Sequence, residues 1–354
     1  MSKIGIVTII DNNNYGNRLQ NYAVQEILKK KGFIVETLKN NEFSNFRKNY
    51  LLRKIRYSWN SSTYSKDLLR KNNFEEFNKK IIFSEKKINP FSKCNYDYVI
   101  VGSDQVWNPN FSRLSDVDLL TFAEPKKRIS FSASFGVEQL PEDISNKVAK
   151  EFKKFKGISV REDKGKDIIN KMIERSDVEV LIDPTMMLTK EEWSVVSKKP
   201  NVELSKPFIL RYFLSKPNVS VEEKINKIAD ENNMEIIDVL DPKTKEIFSS
   251  GPSEFLYLIS HSSLVCTDSF HACVFSILFD KPFLVFERNG NINKMNSRIV
   301  TLLNKFKLQD KLPGNVLDDD IFNHNYFEAN KILEVEREKV SKFLDKYIED
   351  NDEN

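Results

Sequence analysis

The chain has 354 residues, 40% hydrophobic and 30% charged, with a formal net charge of +3. That length suits two domains better than one core, and the near-balanced charge excludes a general nucleic-acid-binding surface. No apolar run approaches the roughly 18 residues that span a bilayer, and the three cysteines, Cys94, Cys266 and Cys273, have no CxxC spacing, which suits reduced thiols in a cytoplasmic protein.

The opening MSKIGIVTII runs straight into a strand-like segment and has no small-residue cleavage site, so no secretory signal is read. Strands are then expected at 4–10, 33–38, 96–103, 128–135 and 157–162, and at 178–183, 208–214, 234–240, 263–268 and 282–288. Several are apolar throughout, as parallel strands covered on both faces are. Helical patterns over 18–31, 141–155, 220–233, 269–280 and 326–348 alternate with them. The alternation predicts an α/β protein with parallel, doubly wound sheets.

The polar stretch SKKPNVELSKPF, 197–208, reads as a boundary. Two α/β domains follow, 1–200 and 201–354, and the long last helix is able to pack back on the first. Residues 46–93 carry thirteen basic and four acidic side chains. They read as a basic helical insertion, either an ordinary solvated one or a peripheral contact with anionic headgroups at a membrane face. The tail EDNDEN reads as frayed.

Ligands of doubly wound sheets bind outside the carboxyl ends of the strands, and four such ends carry suggestive chemistry. After the first strand, DNNNYGNRLQNYAVQ offers a polar loop and a helix start that would suit anions or sugar hydroxyls; an ordinary turn and cap is the alternative. The sequence lacks GxGxxG, so no dinucleotide fingerprint is present. YDYVIVGSDQVWN ends a strand in Gly102, Ser103, Asp104 and Gln105, suited to a sugar or simply to capping a turn. In ISVREDKG, Arg161 ends a buried-looking strand. It would serve a carboxylate or phosphate, or pair locally with Glu162 or Asp163.

The fourth end holds one of only three histidines, in LVCTDSFHACVFSILF. Asp268 or Ser269 is expected to cap a helix whose first turn contains His271. The positive dipole end favours a nearby anion and a neutral imidazole, which is a workable proton shuttle; a structural histidine bonded to a carbonyl is the alternative. His261 and His324 read as surface residues.

Taken in order, NYGNRLQNYAVQ, YDYVIVGSDQVWN, ISVREDKG, LIDPTMML, GPSEFLYLISHSSLVCTDSFHACVFSILFDKPFLVF and NSRIVTLL resemble the polysaccharide pyruvyl transferase family. The resemblance runs from about residue 4 to about residue 305. It implies two Rossmann-like domains facing across a cleft, as in GT-B glycosyltransferases. It also implies transfer of pyruvate from phosphoenolpyruvate to a sugar of a cell-surface polysaccharide precursor, usually as a cyclic ketal, with no cofactor beyond that donor. His271 matches the family's acid/base histidine, and Arg161 an arginine that contacts phosphoenolpyruvate. Residue chemistry adds Arg298 and Arg288 to the anion site with the helix start at Ser269, and Asp104, Gln105 and Asn17 to the sugar side. Some branches have Arg-Leu-His where this chain has Ser269-Phe270-His271. Either Arg161 and Arg298 take over from that arginine, or the donor differs. Two other functions stay open: a nucleotide-sugar glycosyltransferase, and a non-catalytic glycan-assembly protein that holds a lipid-linked precursor at the membrane face.

Overall fold

The computed structural model describes residues 1–40, 61–111, 113–288, 297–312, 320–322 and 324–348. Within them the chain forms β1 (Lys3–Val7), α1 (Tyr15–Lys30), β2 (Ile34–Lys39), α2 (Ser61–Asn78), β3 (Phe83–Lys87), β4 (Tyr98–Val101) and β5 (Arg128–Ala133). It continues through α3 (Glu142–Phe152), β6 (Gly157–Val160), α4 (Asp163–Ile173), β7 (Glu179–Val180), α5 (Lys190–Val196), β8 (Phe208–Tyr212), α6 (Val219–Glu231) and β9 (Glu235–Asp238). Then come α7 (Lys245–Phe248), α8 (Pro252–His261), β10 (Leu264–Thr267), α9 (Phe270–Leu278), β11 (Phe283–Val285), α10 (Ser297–Phe306) and α11 (Phe327–Tyr347).

Two compact units result. One holds the described residues of 1–40, 78–187 and 334–348, the other those of 61–77 and 188–333. In the first, seven parallel strands lie in the order β3-β2-β1-β4-β5-β6-β7. In the second, four parallel strands lie in the order β11-β10-β8-β9. β4, β6 and β10 are buried along their whole length, as strands covered on both faces must be. In the first unit Trp107 anchors the core, with its ring edge-on to Phe152 at 4.7 Å and its indole N–H donating to the Asp118 carbonyl.

The order of each sheet reverses once. In the first unit the chain builds outward from β1 to β3 and then restarts on the other side with β4. In the second it goes from β8 to β9 and restarts with β10. Each reversal opens a crevice at the carboxyl ends of two neighbouring parallel strands, β1 with β4 and β8 with β10, where such folds hold ligands.

Residues 61–77, expected within an insertion of the first domain, count with the second unit. The cause is packing around α2. Arg70 and Asn73 donate to the carbonyls of Phe248 and Ser249, at 2.9 and 2.8 Å. A side chain on Gly251 would press the Asn73 carbonyl at 2.8 Å. Residues 46–60 of the basic segment and the tail from 349 lie outside the described residues. β3 is an addition to the expected strands and forms the sheet edge. α11 brings Asp345 to the first unit's Lys31 at 2.6 Å, and the Tyr347 hydroxyl reaches Asp177. Among the described residues no helix is long and apolar enough to cross a membrane.

Candidate functional site

In the first unit, Asp104 follows β4 in a left-handed backbone conformation, φ 70°, which Asp tolerates better than most residues. Its carbonyl accepts from Ser134 N, so the end of β4 is tied to the end of β5. The Asp104 carboxylate accepts from Gln105 N at 2.8 Å and from Arg161 at 3.3 Å. Arg161 also donates to Asp183 at 2.6 Å. Asp183 in turn accepts from Ser103, from Thr185 N and from the Thr185 hydroxyl. Burial pushes the Arg161 pKa down, but the carboxylates of Asp183, Asp104 and Glu162 together with the Asp183 hydrogen bond outweigh it, and the net shift is upward.

The local pairing of Arg161 with Glu162 or Asp163 is therefore replaced by partners 57 and 22 residues away in sequence. Glu162 serves the neighbouring loop instead. One carboxylate oxygen accepts from the Ser134 hydroxyl, Phe135 N and Gly136 N. Gly136 has φ +62°, and a Cβ there would meet the Gln105 side-chain oxygen at 2.1 Å. That oxygen accepts from Asn108, which fixes the Gln105 amide.

The other lip of this crevice is the start of α1. Asn14 caps the helix by accepting from Asn17 N. Gln20 donates to Thr8 and accepts from Ser103 N, joining helix, β1 loop and β4 loop. Asn17 is 3% exposed, and its side-chain oxygen meets no hydrogen-bond partner among the described residues. Arg18 is fully buried, and Nη2 donates to the Ile9 carbonyl at 2.6 Å. The sequence reading singled out neither Arg18 nor Asp183. Both stand inside motifs quoted above, NYGNRLQ and LIDPT, but an arginine in an amphipathic helix and an aspartate before proline each look ordinary alone.

In the second unit, Ser269 is the N-cap of α9 and His271 lies in the helix's first turn, 6% exposed. Asp268 does not cap the helix. Its carboxylate accepts from Leu214 N, Ser215 N and the Ser215 hydroxyl, tying the ends of β8 and β10 together. Arg288 approaches the same carboxylate at 3.3 Å and donates to the Asp268 carbonyl. Phe270 stands edge-on to the His271 ring, centroids 5.3 Å apart, and the Arg298 guanidinium lies over the Phe270 ring at 5.8 Å. Thr267 supports the turn by donating to the Tyr212 carbonyl and accepting from Ser269 N.

The expected residues thus form two groups: Asn17, Asp104, Gln105 and Arg161 in the first unit, and Ser269, His271, Arg288 and Arg298 in the second. Of the other histidines, His261 is exposed and stacked on Tyr257. His324 is half-buried, with Nδ1 and Nε2 within hydrogen-bonding distance of the carbonyls of Phe322 and Asp280.

Two doubly wound units, each with polar and charged side chains converging on its switch point, define an α/β protein of the Rossmann-like type. The chain belongs to the polysaccharide pyruvyl transferase family, whose sequence profile matches residues 14–290. No curated protein matches it in sequence. Among solved structures it is similar to the UDP-GlcNAc 2-epimerase of Methanocaldococcus jannaschii, at 14% identity over 94% of this chain and 99% of that one, TM-score 0.47. A UDP-N-acetylglucosamine 2-epimerase described as putative in its Listeria monocytogenes structure shows 11% identity, 94% and 95% coverage and TM-score 0.48. Acinetobacter baumannii MurG shows 9% identity, 96% and 95% coverage and TM-score 0.40.

Proposed function

We propose that this protein transfers pyruvate from phosphoenolpyruvate to two hydroxyls of a sugar in a polysaccharide precursor, forming a cyclic ketal. The observation that carries the reading is His271 in the first turn of α9, at the carboxyl end of β10, with Arg288 and Arg298 drawn to the same turn. A phosphate and a carboxylate suit arginine forks and a helix N-terminus. An imidazole is the side chain best able to give and take a proton near neutral pH.

The chemistry balances as follows. A proton from His271 adds to C3 of the enol, and the double-bond electrons leave C2 as an oxocarbenium centre. One sugar hydroxyl forms a bond to C2 and returns its proton to His271. The C2–O bond to phosphate then breaks, with its electron pair leaving on phosphate. The second hydroxyl closes the ketal at C2 and gives its proton to the departing phosphate. The N–H groups at the start of α9 and the charge of Arg298 stabilise that leaving group.

Arg161 takes a different part from the donor contact implied by the family resemblance. Its charge is already offset by Asp104 and Asp183, so it is a positioning residue that fixes Asp104 for the acceptor. Asp104, Gln105 and Asn17 supply the hydrogen-bonding side chains for sugar hydroxyls. The test is phosphate release and ketal formation from phosphoenolpyruvate across a panel of glycosides. His271→Ala, with unchanged thermal stability, should lose both. Full activity in that variant would overturn the assignment.

A further inference from the structure

We propose that Arg18 forms an oxyanion-binding subsite at the switch point of the first unit, taking a carboxylate or phosphate group of a small-molecule ligand. It rests on the way the fold treats its other buried arginines. Arg128 donates through all three nitrogens, to the carbonyls of Ala123 and Thr121 and to Glu151. The half-buried Arg175 likewise uses every nitrogen, on Asp177 and the carbonyls of Phe155 and Lys156. Arg113 pairs with Asp118, and Arg161 with two carboxylates. Arg18 is as buried as any of them, yet Nε and Nη1 meet no hydrogen-bond partner among the described residues.

An uncompensated buried guanidinium is expensive. Asp11 and Asp104 are its carboxylate neighbours, and both are engaged elsewhere: Asp11 accepts from Asn13 N and Asn14 N, and Asp104 from Arg161 and Gln105 N. Burial outweighs their attraction and lowers the Arg18 pKa to about 10. An added oxyanion would supply the missing acceptors and the missing charge together, in the fork geometry arginine favours.

Position gives the independent support. The guanidinium reaches the Ile9 carbonyl just past β1 and lies within electrostatic range of Asp104 just past β4. Those two strands flank the reversal in sheet order, where doubly wound folds bind ligands. The first turn of the sixteen-residue α1 is beside it, with the unpartnered side-chain oxygen of Asn17. The subsite does not depend on which donor the enzyme uses.

The test is thermal unfolding of the full chain at constant ionic strength, with sodium chloride as the reference and inorganic phosphate, acetate or a neutral methyl glycoside added separately. Phosphate or acetate should raise Tm by a few degrees, and the arm that does so identifies the oxyanion. Arg18→Met should remove the part of the shift that persists in Arg298→Lys, while keeping a ligand-free Tm at or above that of the unsubstituted protein, because it removes a buried charge with two unsatisfied donor nitrogens. Arg18→Lys should keep part of the shift. No shift with either oxyanion, a shift with the glycoside alone, or a shift lost in Arg298→Lys but kept in Arg18→Met would overturn the proposal. So would a ligand-free loss of Tm in Arg18→Met that Arg18→Lys restores, which is the mark of a structural role.

Discussion

The two switch-point crevices are built on the same plan and filled in opposite ways. In the first unit, carboxylates outnumber the arginines: Asp104, Asp183 and Glu162 surround Arg161, and every one of them accepts hydrogen bonds from nearby side chains or backbone N–H groups. In the second unit, Asp268 stands with Arg288, Arg298 and His271. On the proposed reading, the fixed acceptors and donors around Arg161 suit hydroxyls, Arg18 beside them suits a single oxyanion, and the second crevice suits an anion held by positive charge beside a helix start. On this reading the reversal of strand order that both sheets share sets where ligands bind, and the residues just past each strand set which.

The contrast can be broken most severely at Arg161. Arg161→Met would leave Asp104 and Asp183 buried without their cation, and a loss of about 3–5 kcal/mol in chemical denaturation is expected. The same exchange at Arg298 removes a guanidinium that lies over the Phe270 ring in the second unit and should weaken phosphoenolpyruvate binding.

At the next level, His271→Ala should slow turnover by about 100- to 10,000-fold while leaving the unfolding midpoint in place. Gly136→Ala strikes the first crevice alone. The Cβ would collide with the Gln105 side chain from a left-handed backbone, which is expected to cost about 1–3 kcal/mol. It should raise the KM for the acceptor more than that for the donor, and equal changes in both would dissolve the division of labour between the crevices.

Far from both crevices the effects shrink. Arg175 holds the Asp177 carboxyl below its ordinary pKa chiefly through its hydrogen bonds. A lowered folded-state pKa gives stability that is present above about pH 4 and fades as pH falls through the folded value. Asp177 is 43% exposed, so Arg175→Lys should cost under about 1 kcal/mol at pH 7, and less still once pH falls below about 4.

Much of this arrangement was legible in the chain, for identifiable reasons. Each of the ten expected strands has a counterpart, because a strand covered on both faces writes a continuous apolar run. β3, FSEKK, escaped because an edge strand needs no such run. Helix α4 begins two residues after Arg161 with DKGKD, which carries no apolar residue to show a helical period. The fold brings the charged candidates to strand ends, as the doubly wound rule requires, but their partners were illegible. Arg161 meets carboxylates contributed by the loops after β4 and β7, and nothing local distinguishes them from its neighbours Glu162 and Asp163. Arg18 was hidden more thoroughly, since α1 is buried on several faces and a charged residue in its first turn resembles any solvated one.

The central claim is that the second unit's crevice takes phosphoenolpyruvate. The most direct measurement is calorimetric binding of phosphoenolpyruvate to the unsubstituted protein and to Arg298→Lys, with nucleoside diphosphates titrated in parallel. The account predicts saturable binding of phosphoenolpyruvate, weakened at least several-fold by the substitution, and no comparable binding of nucleotides. Tight nucleoside diphosphate binding without any heat from phosphoenolpyruvate would contradict it and point to glycosyl transfer.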